Sequence, residues 1–513
     1  MSRTAMANVD QQDQGTALGF FDEKVRSGAA KRIDTHASIV FLEPDRALKI
    51  KRAVRLPFLD YSTLDKRKRA CEEELAVNRH HAPKLYRRLV PITRTAGGIE
   101  IDGDGPTIEW AVEMARFDEA KTLDHLARAG GIKPELAEML ADVVRNSHQR
   151  AEVSDGSAWL SSVADIIDRN TEKFRGQPSL ERDMVERLHD LSHRRLTELL
   201  PLLRARAAQG FVRRCHGDAH LGNIVMIDDR PVLFDAIEFD PVIATTDVLY
   251  DFAFPLMDLV HFDLKAAASR LFNRYLQVAW DECADALRLL PLFFSMRAAI
   301  RSHVLFTKCE QAPGDTQGIM EARSYFGLAL RHLEPARPSL IAIGGRSGTG
   351  KSVLARDMAG LIAPLPGAVI LRSDVIRKQL FGIDPLVALP EAAYAADVTT
   401  RVYRTLLMRA RQVTAGGFSV ILDAAFLREA ERDELAAEAR ELRADFRPIF
   451  LDANLAARLE RVASRRHDAS DATSEVATGQ ESYDTGRLDW PTVDASGSPE
   501  QTLRRSLIHL GAE

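Results

Sequence analysis

One stretch constrains this chain more than any other: Gly345-Arg-Ser-Gly-Thr-Gly350-Lys351-Ser352, which fits G-x-x-x-x-G-K-[ST]. Such a run folds as a tight turn between a strand and a helix. Its glycines (Gly345, Gly348, Gly350) let successive backbone N–H groups turn inward, and the following helix N-terminus adds a favourable dipole. The flanks agree: apolar Leu340-Ile-Ala-Ile343 runs in, and a helical pattern (Val353, Leu354, Met358, Leu361, Ile362) runs out. The implied chemistry is that of a P-loop. Lys351 reaches the β/γ-phosphates of a nucleoside triphosphate, and the Ser352 hydroxyl binds Mg²⁺. Most of the 513-residue chain precedes this loop, so the loop does not account for the whole protein.

A chain of this length is expected to form several domains. With 45% hydrophobic and 28% charged residues it is ordinary globular material rather than a disordered chain. A net charge of -5 gives no sign of a nucleic-acid partner. The cysteines (Cys71, Cys215, Cys283, Cys309) are scattered without C-x-x-C spacing, which argues against a zinc site or a disulfide framework and fits a reducing compartment. Met1 to Gly15 carries no apolar signal segment, and runs such as Leu289–Met296 are too short to span a bilayer. The expected location is the cytoplasm, with no membrane partner.

Residues 1–18 read as a loose tail. Ser38–Leu42 and Ala47–Lys51 are strand-like around a turn at Glu43–Arg46, a charged helix follows over Leu64–His80, and extended segments lie near Leu89–Ile92, Gly98–Ile101 and Glu109–Met114. Beyond Phe117 the pattern is helical to Leu333, interrupted over Phe211–Pro241. Glu334-Pro-Ala-Arg-Pro338 is the expected linker, because its prolines break helices where the pattern changes. After it, Ala368–Leu371, Phe418–Leu422 and Pro448–Leu451 alternate with helices, the mark of a parallel βαβ sheet. The expected domains are 19–333, with lobes 19–114 and 115–333, and 339–513.

The interruption holds a second constellation, Cys215-His-Gly-Asp218-Ala-His220-Leu-Gly-Asn223, followed by Val232-Leu-Phe-Asp235-Ala-Ile-Glu238. The Asp218-to-Asn223 spacing equals that of the protein-kinase loop H-R-D-x-x-x-x-N, whose Asp receives the acceptor hydroxyl's proton and whose Asn holds Mg²⁺. Asp235, ending an apolar strand, stands where a second metal-binding Asp belongs. A single Asp in a loop is usually a turn residue, and His216 and His220 suit loop bracing; the joint pattern carries the reading.

H-G-D-x-H-x-x-N followed by an apolar-D-x-x-E resembles the aminoglycoside phosphotransferase family, which includes choline-kinase-like enzymes. The resemblance spans roughly residues 20–333 and implies a bilobal α+β protein-kinase-like fold. It also implies an ATP-phosphate lysine in Ala47-Leu-Lys49-Ile-Lys51. Lys49 is favoured, although Lys51 faces the same side of the strand. Glu73 or Glu74 would pair with that lysine, Trp110–Met114 would be the hinge whose backbone at Met114 meets adenine, and Asp247 and Asp251 would support the site. No glycine-rich loop precedes Lys49; Thr35-His-Ala-Ser38 occupies that place.

After the P-loop, Asp374 and Arg377 lie three apart on a helical start and project to one side, suiting a base for an acceptor hydroxyl and a cation for the substrate. A helix-capping Asp is the plain alternative. Val420-Ile-Leu-Asp423 has the strand-plus-Asp form of a Walker B element for Mg²⁺. A helix over Leu455–His467 carries Arg458, Arg461 and Arg465 on one face, before the polar Asp468–Ala472. This half resembles P-loop kinases of the shikimate-, gluconate- and polynucleotide-kinase type (the AAA_33 group). The resemblance implies an α/β parallel-sheet fold and a lid arginine, Arg465, over the phosphates.

The expected function is a bifunctional, ATP- and Mg²⁺-dependent phosphotransferase. Each half would transfer the γ-phosphoryl to a hydroxyl of a small molecule, with Asp218 and Asp374 as bases. The alternative keeps one half as an active kinase or ATPase and makes the other a nucleotide-binding regulatory module.

Overall fold

The computed structural model describes the chain apart from residues 1–2, 36, 57–58, 313, 335–336, 466–467 and 512–513, with only the backbone of 3–11. Packing divides it into two compact units: Met1–Gly131 with Val143–Asp165 and Leu203–Pro255, and Ile132–Asp142 with Ile166–Leu202 and Leu256–Glu513.

The first unit contains a six-stranded antiparallel sheet in the order Lys31–Asp34, Ser38–Leu42, Arg46–Lys51, Thr107–Ala115, Tyr86–Thr95, Gly98–Ile101. Alternation along Arg46–Lys51 sets what each face does. Leu48 and Ile50 pack with Ile39, Phe41, Val90 and Ile92 under an N-terminal helix, Arg3–Arg26, through its Ala17 and Phe21. Ala47 packs on the opposite face with Cys71 of the helix Leu64–His81, and Lys49 and Lys51 share that face. The latter helix starts where Thr63 accepts from Lys66 N–H, and it ends in Arg79, His80 and His81, which suit its dipole.

The N-terminal helix corrects the expected loose tail. Gln14 and Ala17 are buried, and the Gln14 amide donates to Lys51 O (2.9 Å) and Glu109 Oε2 (2.6 Å) while accepting from Ala53 N–H (2.7 Å). The sequence hides this because the helix is only weakly amphipathic: its few apolar residues meet the sheet, and a buried amide does the rest.

The second unit contains a five-stranded parallel sheet in the order Val369–Arg372, Val420–Asp423, Ser339–Gly345, Asp445–Asp452, Thr492–Asp494. The strands run as expected from their apolar cores, and the short fifth strand adds one that the sequence did not reveal. Helix Lys351–Ala359 buries Leu354, Ala355 and Met358 against Ile341, Ile343 and Ile421. The helical stretch Lys265–Gln311, long and apolar enough to cross a membrane, has 67% of its apolar window buried in the protein.

The expected cut at 334–338 is not where packing divides the chain, and 335–336 lie outside the described residues. Helices placed before the linker belong with the parallel sheet. Asn273 of Lys265–Cys283 donates to Ala368 O (3.0 Å) and accepts from Ile370 N–H (2.7 Å), and Phe272 meets Phe418 with ring centroids 5.3 Å apart.

Replacing Gln14 with Ala removes one hydrogen bond each from the Lys51 carbonyl, the Ala53 N–H and the Glu109 carboxylate, the last of which keeps Arg67. It should lower the stability of the first unit by about 1–3 kcal/mol, read as a lower urea midpoint; a loose tail would give no change.

Candidate active sites

In the first unit a cavity of ≈ 460 Å³ is lined by Lys49, Lys51, Met114, Asp218, Asp235 and Glu238 among others. Lys49 Nζ lies 2.7 Å from Glu74 Oε1 and 2.5 Å from Asp235 Oδ1. Lys51 Nζ lies 2.6 Å from Glu74 Oε2 and 2.5 Å from Glu238 Oε1. Glu74 is therefore the residue of the Glu73/Glu74 pair that meets the lysine strand, while Glu73 is exposed. Of the two lysines, Lys49 is the one that joins Glu74 to Asp235. Burial works against the Lys49 ammonium, but Asp235 and Glu74 outweigh it and raise its pKa well above the ordinary lysine value. Burial likewise opposes the Asp235 carboxylate, and Lys49 nevertheless holds its pKa below the usual range.

Asp235 adopts φ 60°, a left-handed conformation that Asp tolerates better than most residues. Two distant side chains hold the backbone there: Tyr86 OH accepts from Asp235 N–H (3.1 Å), and Asn78 Oδ1 accepts from Ala236 N–H (2.7 Å). Asn223 Nδ2 donates to Asp218 O and to Asp218 Oδ2, both at 3.0 Å. That leaves the Asn223 amide oxygen as its acceptor group, and together with the Asp235 carboxylate it forms a hard-oxygen donor set suited to Mg²⁺.

His216 braces the loop. Burial lowers its pKa, and the neutral ring donates from Nε2 to Phe234 O (3.0 Å) while Nδ1 accepts from Asp218 N–H (3.4 Å). Gly217 has φ 83°, and a Cβ there would come within 3.0 Å of Ala244, so the turn requires glycine. Its N–H donates to Asp251 Oδ1 (2.8 Å), which places Asp251 under the loop. Asp247 instead receives both Arg206 Nε (2.6 Å) and Nη2 (2.8 Å) in a buried structural pair. Met114 lines the cavity from within a doubly paired strand; Arg116 and Phe117 continue the wall beyond the ladder. Of the turn that stands where a glycine-rich loop would, Thr35, Ala37 and Ser38 line the cavity, and residue 36 lies outside the described residues.

In the second unit a cavity of ≈ 790 Å³ is lined by the P-loop, Asp374, Arg377, Asp423 and Arg465, among others. Gly345, Gly348 and Gly350 all have positive φ, and a Cβ on Gly348 would lie 2.6 Å from Arg458 O. Lys351 Nζ donates to Gly345 O (2.8 Å) and Arg346 O (3.1 Å), and Ser352 Oγ donates to Asp423 Oδ2 (2.6 Å). A hydroxyl and a carboxylate at this separation are again oxygen donors suited to Mg²⁺. Burial, followed by the nearby Asp423 charge, raises the pKa of Asp374, the direction that makes a carboxylate a better base.

The arginines part ways with the expected lid. The helix ends at Ala463, and 466–467 lie outside the described residues. Arg458 is 1% exposed and bonded to Ser347 O, Ala477 O and Glu481; Arg461 donates to Ala495 O (2.8 Å) and Gly497 O (2.7 Å). Both satisfy backbone carbonyls, and Arg461 also lines the cavity. Arg465 lines the cavity, and its buried Nη1 has no hydrogen-bond partner among the described residues. Arg377 also lines the cavity, yet its guanidinium donates to Ala393 O (2.7 Å) and Thr399 Oγ1 (3.3 Å).

Sequence reasoning missed Arg372, which lies 3.2 Å from Asp423 and 3.0 Å from Asp468, and Lys378, which with Tyr394 holds Asp471. Arg372 ends a strand two residues before Asp374, a positional signal. Tyr86 and Asn78 offer none, since their partners lie 149 and 158 residues away.

Residues 49–286 match a family described as phosphotransferase enzymes, and residues 340–483 match one described as an AAA domain. An uncharacterized protein of Mycobacterium tuberculosis is 27% identical over 487 residues, covering 92% of this chain and 93% of its own length. Among solved structures, a choline/ethanolamine kinase family protein from Mesorhizobium loti is 13% identical, with a TM-score of 0.38, covering 61% of this chain and 95% of that one. A gluconokinase from Sinorhizobium meliloti is 20% identical, with a TM-score of 0.26, covering 34% and 92%.

A carboxyl whose pKa is raised on folding opposes stability above its folded pKa and not below its unfolded one, about 3.9 for Asp. Asp374→Asn should therefore raise the urea midpoint at pH 7, with the gain shrinking as the pH falls toward 4.

Proposed function

Because this chain carries a phosphotransferase-family domain and a P-loop domain of a kinase-related group, we propose that it is an ATP- and Mg²⁺-dependent kinase with two sites, each phosphorylating a hydroxyl of a small molecule. The observation that carries this reading is that each unit gathers the same three chemical parts at one site: a lysine for phosphate, oxygen donors for a cation, and a further carboxylate for the acceptor.

In the first site Lys49 grips phosphate, aligned by Glu74. Asp218 takes the acceptor proton, its carboxylate oriented by the Asn223 amide, and Asn223 and Asp235 hold the cation. In the second, Lys351 leaves its two carbonyl partners for the phosphates, Ser352 and Asp423 hold the cation, and Asp374 takes the proton. Arg465, the cavity cation with an unpartnered Nη1, stabilises charge on the transferring group. The divalent cation, when bound, neutralises charge on the phosphates of ATP. Proton transfer to a positioned base contributes about 10²–10⁴-fold, and phosphate positioning at least as much.

Asp218→Asn should lower acceptor-dependent ATP consumption at the first site by about 10²–10⁴-fold, and Lys351→Ala should do so at the second. Each should leave the other site's product unchanged, with product mass as the readout. If one variant abolishes all phosphorylated product, the chain is not two independent kinases; turnover without product would point to an ATPase. Arg465→Ala should lower kcat at the second site by about 10²-fold or more with a smaller change in KM for ATP. Chelation of divalent cations should silence both sites, and added Mg²⁺ should restore them.

A further inference from the structure

His189 and His193 lie one helical turn apart on Arg182–Ala208, so their imidazoles project from one face, with ring centroids 4.5 Å apart. The helix Ser157–Arg175 presents Asp168 to them. Asp168 Oδ1 lies 2.7 Å from His193 Nε2 and 3.9 Å from His189 Nδ1, and one donor atom from each of the three falls within 4.8 Å of the others. None of these residues lines either cavity.

Two imidazoles and a carboxylate are a donor set that suits zinc-class cations better than Mg²⁺, which prefers oxygen ligands and keeps its waters. With bond lengths near 2.0–2.2 Å, a tetrahedral zinc shell holds neighbouring ligand atoms about 3.3 Å apart. The observed separations bracket that value, so rotamer adjustments suffice to close the shell. Thr171 Oγ1 gives its hydrogen to Ile167 O (2.9 Å) and lies 3.3 Å from His189 Nδ1, a contact that a metal taken at Nδ1 would replace. Asp168 is 56% exposed and His193 34%, which leaves an open path for a metal and a position for water as the remaining ligand. We propose that Asp168, His189 and His193 form a zinc-class divalent metal site that staples these two helices. A plain surface His–Asp pair explains Asp168 and His193 and leaves the second imidazole, on the same face, only its contact with Thr171.

The test uses the full chain stripped of metal and free of nucleotide, titrated with Zn²⁺ against a chromophoric chelator and separately with Co²⁺ for tetrahedral visible absorption. One equivalent should bind in the low-micromolar range, with a rise of a few degrees in Tm. His193→Ala and Asp168→Asn should each weaken binding at least about tenfold and remove the Tm rise. Both positions are partly exposed, so the variants should fold. Failure to bind one equivalent overturns the assignment. So does its retention in either variant, as would follow if the metal entered the buried group of His148, Cys215 and Asp251 instead.

Discussion

The first site depends on one carboxylate placed between two ammonium groups. Glu74 has no exposed side-chain surface, and each of its oxygens meets a different lysine. Taking such a group out of water costs several kcal/mol unless charge partners compensate. Burial pushes its pKa up, yet Lys49 and Lys51 together pull it below the ordinary glutamate value, so the ionised form is the one that packs. This lattice fixes the helix Leu64–His81 against the strand Arg46–Lys51. Through the second bond of each lysine it also fixes Asp235 and Glu238, so Lys49 is positioned from both sides.

The second unit reaches a comparable arrangement by other means. Its Lys351 rests on backbone carbonyls of its own loop, and burial lowers its pKa despite the nearby Asp423. The carboxylate at the end of Val420–Asp423 is shared between Ser352 and Arg372, and Arg372 passes on to Asp468. Hence the polar segment after the arginine helix is tied to the strand ends, with Lys378 and Tyr394 holding Asp471 a little further along. On the proposed reading, the lysine of the first site is held by ion pairs among side chains and that of the second by its own loop.

What could be read from sequence follows this difference. The P-loop is local: glycine, lysine and serine spacing specify a turn, and the turn appears with positive φ at the expected glycines. Alternation in Arg46–Lys51 put two lysines on one face, but only packing could assign Glu74 and Asp235 to Lys49, because those partners come from a helix and a loop far along the chain. Spacing on a helix put Arg458, Arg461 and Arg465 on one face. In the fold, Arg458 and Arg461 satisfy backbone carbonyls, and of the three Arg461 and Arg465 line the cavity. The docked N-terminal helix was unreadable for the same reason, since a glutamine gives no periodic signal.

The packing units differ from the expected domains for a more general reason: a sequence shows where helices break but not which sheet a helix covers. Val369–Arg372 is an edge strand of the parallel sheet, with one side of its backbone open to any passing strand. Asn273 closes part of that edge with its amide, giving a hydrogen to Ala368 O and taking one from Ile370 N–H, much as a neighbouring strand would. The same strand ends in Arg372 and leads directly into Asp374. A helix that lies on the far side of the proline-rich segment in sequence thus steadies the strand that sets Arg372 against Asp423 and leads Asp374 to the P-loop cavity. The two halves of the sequence are therefore not the two halves of the packing.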